Sequence, residues 1–164
     1  MTQFSSLSVP VAHYQPGVLL HEWKALMDQG LHASRGHEPA QAQMLYRHAL
    51  AFAQQLLACP AGQVTDDDRV AAFVVTSLNL AESLVDMEQM AEAVLCLSGA
   101  HRTLMALLRN ETTSMSLQQA ICRHGRETHA ALVRHWSEHG VHPEIMVALR
   151  DGCMPFPTSS SLLH

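Results

Sequence analysis

The chain has 164 residues, and 48% of them are apolar, which is enough to fill the core of one domain without disulfides or a structural metal. Its formal charge is −5 and its ten cationic residues form no basic block, which argues against a protein that binds nucleic acid. Four cysteines without a CxxC pair, no secretory signal and no apolar run of membrane-spanning length predict a cytoplasmic protein with reduced thiols and no membrane contact.

Helical periodicity is confined to the middle of the chain. Residues 1–17 and 153–164 are rich in Ser and Pro and lack a helical period, so we expect an irregular N-terminal arm and an irregular C-terminal tail. Between them, residues 18–152 predict a single all-α domain of about six helices without a strand. The predicted helices cover, in chain order, about 18–34, 39–58, 66–87, 91–109, 117–139 and 143–150.

Short turns join these predicted helices in pairs. Pro39 is suited to the first turn of the second helix, and Thr65, followed by three aspartates, is suited to the N-terminus of the third. Helices that follow one another so closely pack antiparallel. The pattern therefore predicts antiparallel helical hairpins stacked side by side.

Two of the hairpins carry small residues at matching positions, with successive spacings of 12, 4 and 3. The positions are Gly30, Ala42, Tyr46 and Ala49 in the first hairpin, and Ala81, Ala93, Leu97 and Ala100 in the second. Small residues there let two helices approach closely while the larger residue fills the gap.

This set of residues resembles the tetratricopeptide repeat. The resemblance implies a right-handed superhelix of helical hairpins and no particular activity. The repeat unit here is 51 residues rather than 34, and Gln29 and Ala33 stand where that family has large apolar residues. In length and in its YRHALAFAQQLL segment the chain looks like small, uncharacterised bacterial proteins of two to three such hairpins.

In arrays of this kind the first helix of each hairpin lines a concave groove that binds peptide segments or partner helices. The resemblance assigns nine residues to this groove: Lys24, Met27, Leu31, Arg35, Val75, Leu78, Glu82, Val85 and Asp86. They predict a largely apolar groove with mixed charge at its edge. Too few Lys, Arg and Asn positions are present for a clamp that grips a C-terminal carboxylate. In the alternative interpretation the apolar members are buried by the third hairpin or by a tail.

A histidine-rich stretch, residues 122–142, is the other candidate site. His135 and His139 are four residues apart and share a helix face, a spacing that two ligands of one metal ion can have. HWSEH lacks the HExxH order of zinc proteases. The simpler interpretation is a half-exposed helix face whose histidines stack on Trp136 or pair with Glu138, so we predict no metal and no cofactor.

Soft metal ligands are a further possibility in residues 77–101. Met87, Met90 and Cys96 lack the clustered spacing of such a site, and we interpret them as filler in the core and the turn.

No nucleotide-binding or nucleophile motif of the GxGxxG, GxxxxGK[ST] or GxSxG type occurs, so we expect a protein that is not an enzyme. The main hypothesis is a small cytoplasmic adaptor or regulatory module that recognises a protein or peptide segment. Two alternatives stay open: a self-associating structural protein, for example a homodimer, because short stacks expose apolar ends unless they are capped, and a metal sensor that uses His135, His139 and a cysteine.

Overall fold

The computed structural model describes residues 15–152, and six α-helices account for most of them. The helices are α1 (Pro16–Arg35), α2 (Pro39–Ala58), α3 (Asp66–Asp86), α4 (Met90–Arg109), α5 (Met115–His139) and α6 (Pro143–Gly152). The described range contains no strand, so the predicted all-α class is confirmed. Most of the predicted arm and the whole predicted tail lie outside the described residues.

Local sequence signals set the helix ends. Pro16 and Pro39 each occupy the first turn of a helix, where proline loses no hydrogen bond. Because of Pro16, α1 begins two residues before the predicted domain boundary at residue 18. The Thr65 hydroxyl accepts a hydrogen bond of 3.0 Å from the Asp68 backbone N–H at the start of α3. Gly140, with a φ of 91°, ends α5.

The turns of the first two hairpins are copies of each other at an offset of 51 residues. His37 and Glu88 both adopt a left-handed conformation, with φ of 58° and 59°. The next residue in each turn donates its backbone N–H to the fifth residue before it, from Glu38 to Ala33 and from Gln89 to Leu84. The same backbone geometry therefore closes both hairpins, although neither turn contains a glycine at the left-handed position.

Each helix packs against the next, and α3 also packs against α5, whereas α1 meets α3 mainly through the side chains of Trp23, Met27 and Thr76. The predicted small residues lie at the helix crossings and are buried. At Gly30 an added Cβ would lie 2.5 Å from Cε1 of Tyr46, so only glycine fits beneath that ring. The equivalent crossing of the second hairpin pairs Ala81 with Leu97. The right-handed superhelical course stays a prediction.

Within the described part of the chain, α4 has the length and apolar composition of a membrane-crossing helix. This corrects the expectation that no apolar run reaches that length. Its apolar side is buried against α3, α5 and α6, and Ala93, Leu97 and Leu104 are each at most 5% exposed. Burial in the core of the helical domain accounts for this composition.

A buried histidine lies between α4, α5 and the end of α6. His101 is 2% exposed, and its Nδ1 is 2.8 Å from the Thr128 hydroxyl. That hydroxyl donates its own hydrogen to the Gly125 carbonyl at 2.9 Å, so it accepts from His101 and Nδ1 carries the proton. Burial lowers the pKa of His101 to about 4.

Candidate functional site

A cleft of about 420 Å³ opens between the C-terminal halves of α3 and α5, and we call it the α3–α5 cleft. Its apolar lining consists of Leu78, Ala81, Val85, Leu97 and Ala131. Its polar lining consists of Glu82, Asp86, Arg134, His135, Glu138 and His139. Because the C-terminal halves of both helices line it, α3 and α5 run in the same direction.

Helical spacing explains why these side chains share one cleft. Leu78, Glu82 and Asp86 recur every four residues on α3, and Ala131, His135 and His139 do so on α5. Each set forms a stripe along one side of its helix. Two parallel helices that turn such stripes toward each other enclose a groove, and the small Ala81 and Ala131 leave it unfilled.

The lining is acidic. Three carboxylates stand against one guanidinium, so it carries a net charge of −2 when the histidines are neutral. Among the described residues Glu82 and Asp86 form no salt bridge, and Glu138 approaches only the His139 ring, at 3.8 Å. Two like charges four residues apart on a helix destabilise it by about 0.2–0.5 kcal/mol. The α3 carboxylates therefore contribute nothing to the stability of the isolated helix.

His135 and His139 lie next to each other in the cleft, with ring centroids 4.6 Å apart and planes inclined by 47°. His135 is only 7% exposed, and neither of its ring nitrogens makes a hydrogen bond to a described residue. Burial lowers the pKa of His135, and the neighbouring His139 lowers it further, so the His135 ring is neutral at pH 7. The cleft thus contains a largely buried ring whose nitrogens bond no described residue and are open to the cleft.

The described residues contain no group of three or more His, Cys, Asp and Glu side chains placed to hold a metal ion. Cys122, the cysteine considered as a third ligand, lines a different cavity near the start of α5, together with Met115 and Arg126. Cys96 packs between α3 and α4, where its thiol lies 3.4 Å from the Ser77 carbonyl and burial raises its pKa to about 11. This position agrees with the interpretation of Cys96 as a residue that fills the core.

The nine residues predicted to line a groove separate into two groups. Leu78, Glu82, Val85 and Asp86 line the α3–α5 cleft. Val75 is 38% exposed on α3 but lies outside the cleft lining.

The four α1 residues do not take part in this cleft. Lys24 and Arg35 are exposed and Leu31 is half-buried, and all three lie away from the lining. Met27 is 4% exposed, and its sulfur is 3.4 Å from the Thr76 hydroxyl in the core. The assignment of Met27 to a groove is therefore corrected: the side chain fills the space between α1 and α3.

Sequence reasoning missed the contribution of α5 to the site. The sequence predicts that His135 and His139 lie on a separate, half-exposed helix face near Glu138, whereas in the structure these three residues and Arg134 form the second wall of the cleft. The available signal was the matched spacing: positions 131, 135 and 139 repeat every four residues, as positions 78, 82 and 86 do. Nothing in either helix alone shows that the two stripes face each other.

The fold and the site define an all-α protein of antiparallel helical hairpins with an acidic, histidine-containing cleft. The chain belongs to the family described as "Protein of unknown function (DUF2753)", whose model matches residues 21–159. No curated protein and no solved structure matches the chain.

Proposed function

We propose that the protein is a small adaptor or regulatory module that holds a segment of another protein in the α3–α5 cleft and catalyses no reaction. The observation that carries the proposal is the cleft itself, which joins four of the predicted groove residues of α3 to the polar stripe of α5. Its volume of about 420 Å³ falls in the range of about 300–1,000 Å³ that is usual for small-molecule pockets, so the cleft has room for side chains of a bound segment.

The walls of the cleft favour recognition through side chains. Both walls are α-helices, whose interior backbone N–H and C=O groups are already hydrogen-bonded within the helix. A bound segment therefore has no exposed strand edge to pair with, which disfavours β-strand addition. The mode that fits two parallel helices is an amphipathic helix lying in the groove between them.

The side chains of the cleft support a binding role rather than covalent catalysis. None of the eleven lining residues is Ser, Thr, Cys, Lys or Tyr, the usual nucleophiles other than carboxylate and imidazole. The described cysteines Cys59, Cys96 and Cys122 form no disulfide with one another, as reduced thiols would.

A comparative pull-down tests this proposal. Val85→Glu places a charge on a half-buried cleft position, and Val75→Glu makes the same change on an exposed position of the same helix outside the lining. We expect the Val85→Glu variant to lose proteins that the wild type and the Val75→Glu variant retain, as quantified by mass spectrometry.

Glu82→Lys provides a second cleft variant, because Glu82 is exposed and its replacement leaves the core intact. Thermal melting followed by circular dichroism establishes that each variant is folded. If both folded cleft variants retain the wild-type set of bound proteins, the α3–α5 cleft is not the binding site.

Self-association is the second candidate, and the last hairpin favours it. Its exposed apolar side chains include Val133, Trp136, Met146 and Val147, each between 37% and 43% exposed. The α6 helix has 10 residues and α5 has 25, so α6 covers only part of its partner. Uncapped ends of helical stacks associate. Sedimentation equilibrium over a hundredfold concentration range, with Trp136→Arg/Met146→Arg as the disrupting variant, distinguishes this candidate; a monomer throughout would exclude it.

A further inference from the structure

We propose that the segment bound in the α3–α5 cleft is a basic amphipathic helix: an apolar side chain seated against Leu78 and Val85, with Lys or Arg side chains reaching the carboxylates around it. This inference rests on the proposed function and adds the chemistry of the partner. Three features of the cleft carry it.

The first feature is uncompensated negative charge. Glu82 and Asp86 on α3 form no salt bridge with a described residue, and Arg134 is the one Lys or Arg in the lining. An acidic segment would meet carboxylates on both walls, whereas a basic segment supplies the counter-charges that the protein itself lacks.

The second feature is the direction of the helices. The cleft lies at the C-terminal halves of α3 and α5, and Asp86 and His139 are the last residues of these helices. The C-terminal end of a helix carries a partial negative charge, because its last carbonyl groups have no partner within the helix. Two such ends side by side therefore add to the attraction that the carboxylates exert on a cationic side chain.

The third feature is independent of charge. His135 is a polar side chain that is more than nine-tenths buried, lines the cleft and has no hydrogen-bond partner among the described residues. Its ring nitrogens are not among the fully buried polar atoms that lack a partner, so they are open to the cleft. A segment that covers them removes their access to water and leaves them unsatisfied unless it provides a hydrogen bond. A polar or cationic group of a bound segment supplies the missing partner, whereas a purely apolar ligand leaves the ring unsatisfied.

Selection from a library of phage-displayed random 16-residue peptides on the full chain tests the inference. We expect the enriched peptides to carry net positive charge next to apolar residues. The best peptide is then synthesised with a fluorescent label, and its affinity is measured by anisotropy for wild type and two charge-matched double variants. Glu82→Gln/Asp86→Asn removes the cleft carboxylates, and Glu22→Gln/Asp28→Asn removes two exposed carboxylates of α1 outside the cleft.

We expect the cleft variant to bind the peptide about tenfold more weakly and the α1 variant to bind it as the wild type does. Raising the salt concentration should weaken wild-type binding and have less effect on the cleft variant. Equal weakening in both double variants would mean non-specific attraction to an acidic protein and would overturn the inference.

The remaining outcomes separate the inference from the function on which it rests. If the enriched peptides are neutral or acidic and bind the Val85→Glu variant more weakly, the cleft is the binding site but its partner is not basic. If no enriched peptide binds the Val85→Glu variant more weakly than the wild type, the result counts against both the proposed function and the basic partner.

Discussion

The first two hairpins use the same backbone plan at an offset of 51 residues, yet only the second contributes to the α3–α5 cleft. The cleft residues Leu78, Ala81 and Leu97 correspond to Met27, Gly30 and Tyr46 in the first hairpin. Tyr46 is 2% exposed and its ring occupies the space directly over Gly30, and Met27 is buried beside it. Two differences therefore separate the hairpins: the Tyr46 ring fills the space over Gly30, and α5 packs against α3 more closely than α3 packs against α1.

The same comparison applies to charge. The exposed α3 carboxylates Glu82 and Asp86 correspond to Leu31 and Arg35 on α1. A matching cleft on the first hairpin would therefore lack the acidic lining. The two repeats differ at the positions that line the cleft, whereas their turns keep the same hydrogen bonds.

The largest expected difference concerns His101, whose counterpart in the first hairpin is the apolar Leu50. The pKa of His101 in the folded protein, about 4, lies below its ordinary value of 6.5, so folding favours the neutral ring. The free energy that the neutral His101 ring contributes to stability is therefore fully present above pH 6.5, and it is lost as the pH falls toward 4. We expect the free energy of unfolding of the wild type to fall by roughly 2–3 kcal/mol more than that of His101→Leu over this range.

Urea denaturation at several pH values measures this difference. His48→Leu, which removes an exposed histidine of α2, serves as the control and should keep the wild-type pH dependence. A His101→Leu variant as sensitive to acid as the wild type would show that another group causes the loss.

The crossing of α1 and α2 gives the next largest effect. Gly30→Ala forces a methyl group against the Tyr46 ring and should lower the free energy of unfolding by about 1–3 kcal/mol. Gly30→Ala/Tyr46→Leu reproduces the Ala81–Leu97 pair of the second hairpin, so its loss should be smaller than the sum of the two single losses.

Gly99→Ala is the control for the glycine change. An added Cβ at Gly99 meets no atom within 4 Å, so this variant should be stabilised by about 1 kcal/mol through helix propensity alone. Denaturation curves of all four variants provide the comparison, and strict additivity of Gly30→Ala and Tyr46→Leu would contradict the volume argument.

Converting the second hairpin into the first should close the cleft. In Ala81→Gly/Leu97→Tyr the tyrosine ring occupies the space over the glycine, as Tyr46 does over Gly30. We expect this variant to bind the selected basic peptide at least about tenfold more weakly, which corresponds to about 1.4 kcal/mol. The control is Leu95→Tyr, at an exposed position of α4 outside the lining, which should bind the peptide as the wild type does. Anisotropy titrations measure the affinity of both variants. Unchanged binding by Ala81→Gly/Leu97→Tyr would show that the peptide binds elsewhere.

The smallest effect tests the equivalence of the two turns. His37 and Glu88 hold left-handed backbone conformations that glycine adopts without a steric penalty. His37→Gly and Glu88→Gly should each stabilise the protein by about 0.5 kcal/mol, a net figure that includes the greater freedom of glycine in the unfolded chain. Thermal melting measures both variants, with Ala40→Gly in α2 as the control that should destabilise the protein. If His37→Gly and Glu88→Gly changed the melting temperature in opposite directions, the two turns would not be equivalent.

The sequence by itself determined the six helices to within two residues at each end, the hairpin pairing and the small residues at the crossings. These features follow from local spacing, from capping residues such as Thr65 and from prolines such as Pro39, all of which act within a few residues along the chain.

Only the tertiary structure decided that the acidic stripe of α3 and the histidine stripe of α5 form one cleft and that Met27 belongs to the core. Which helix faces share a space depends on the packing of helices far apart in sequence. Whether that space stays open depends on the summed volumes of side chains that three or more helices contribute, and no single helix carries that information.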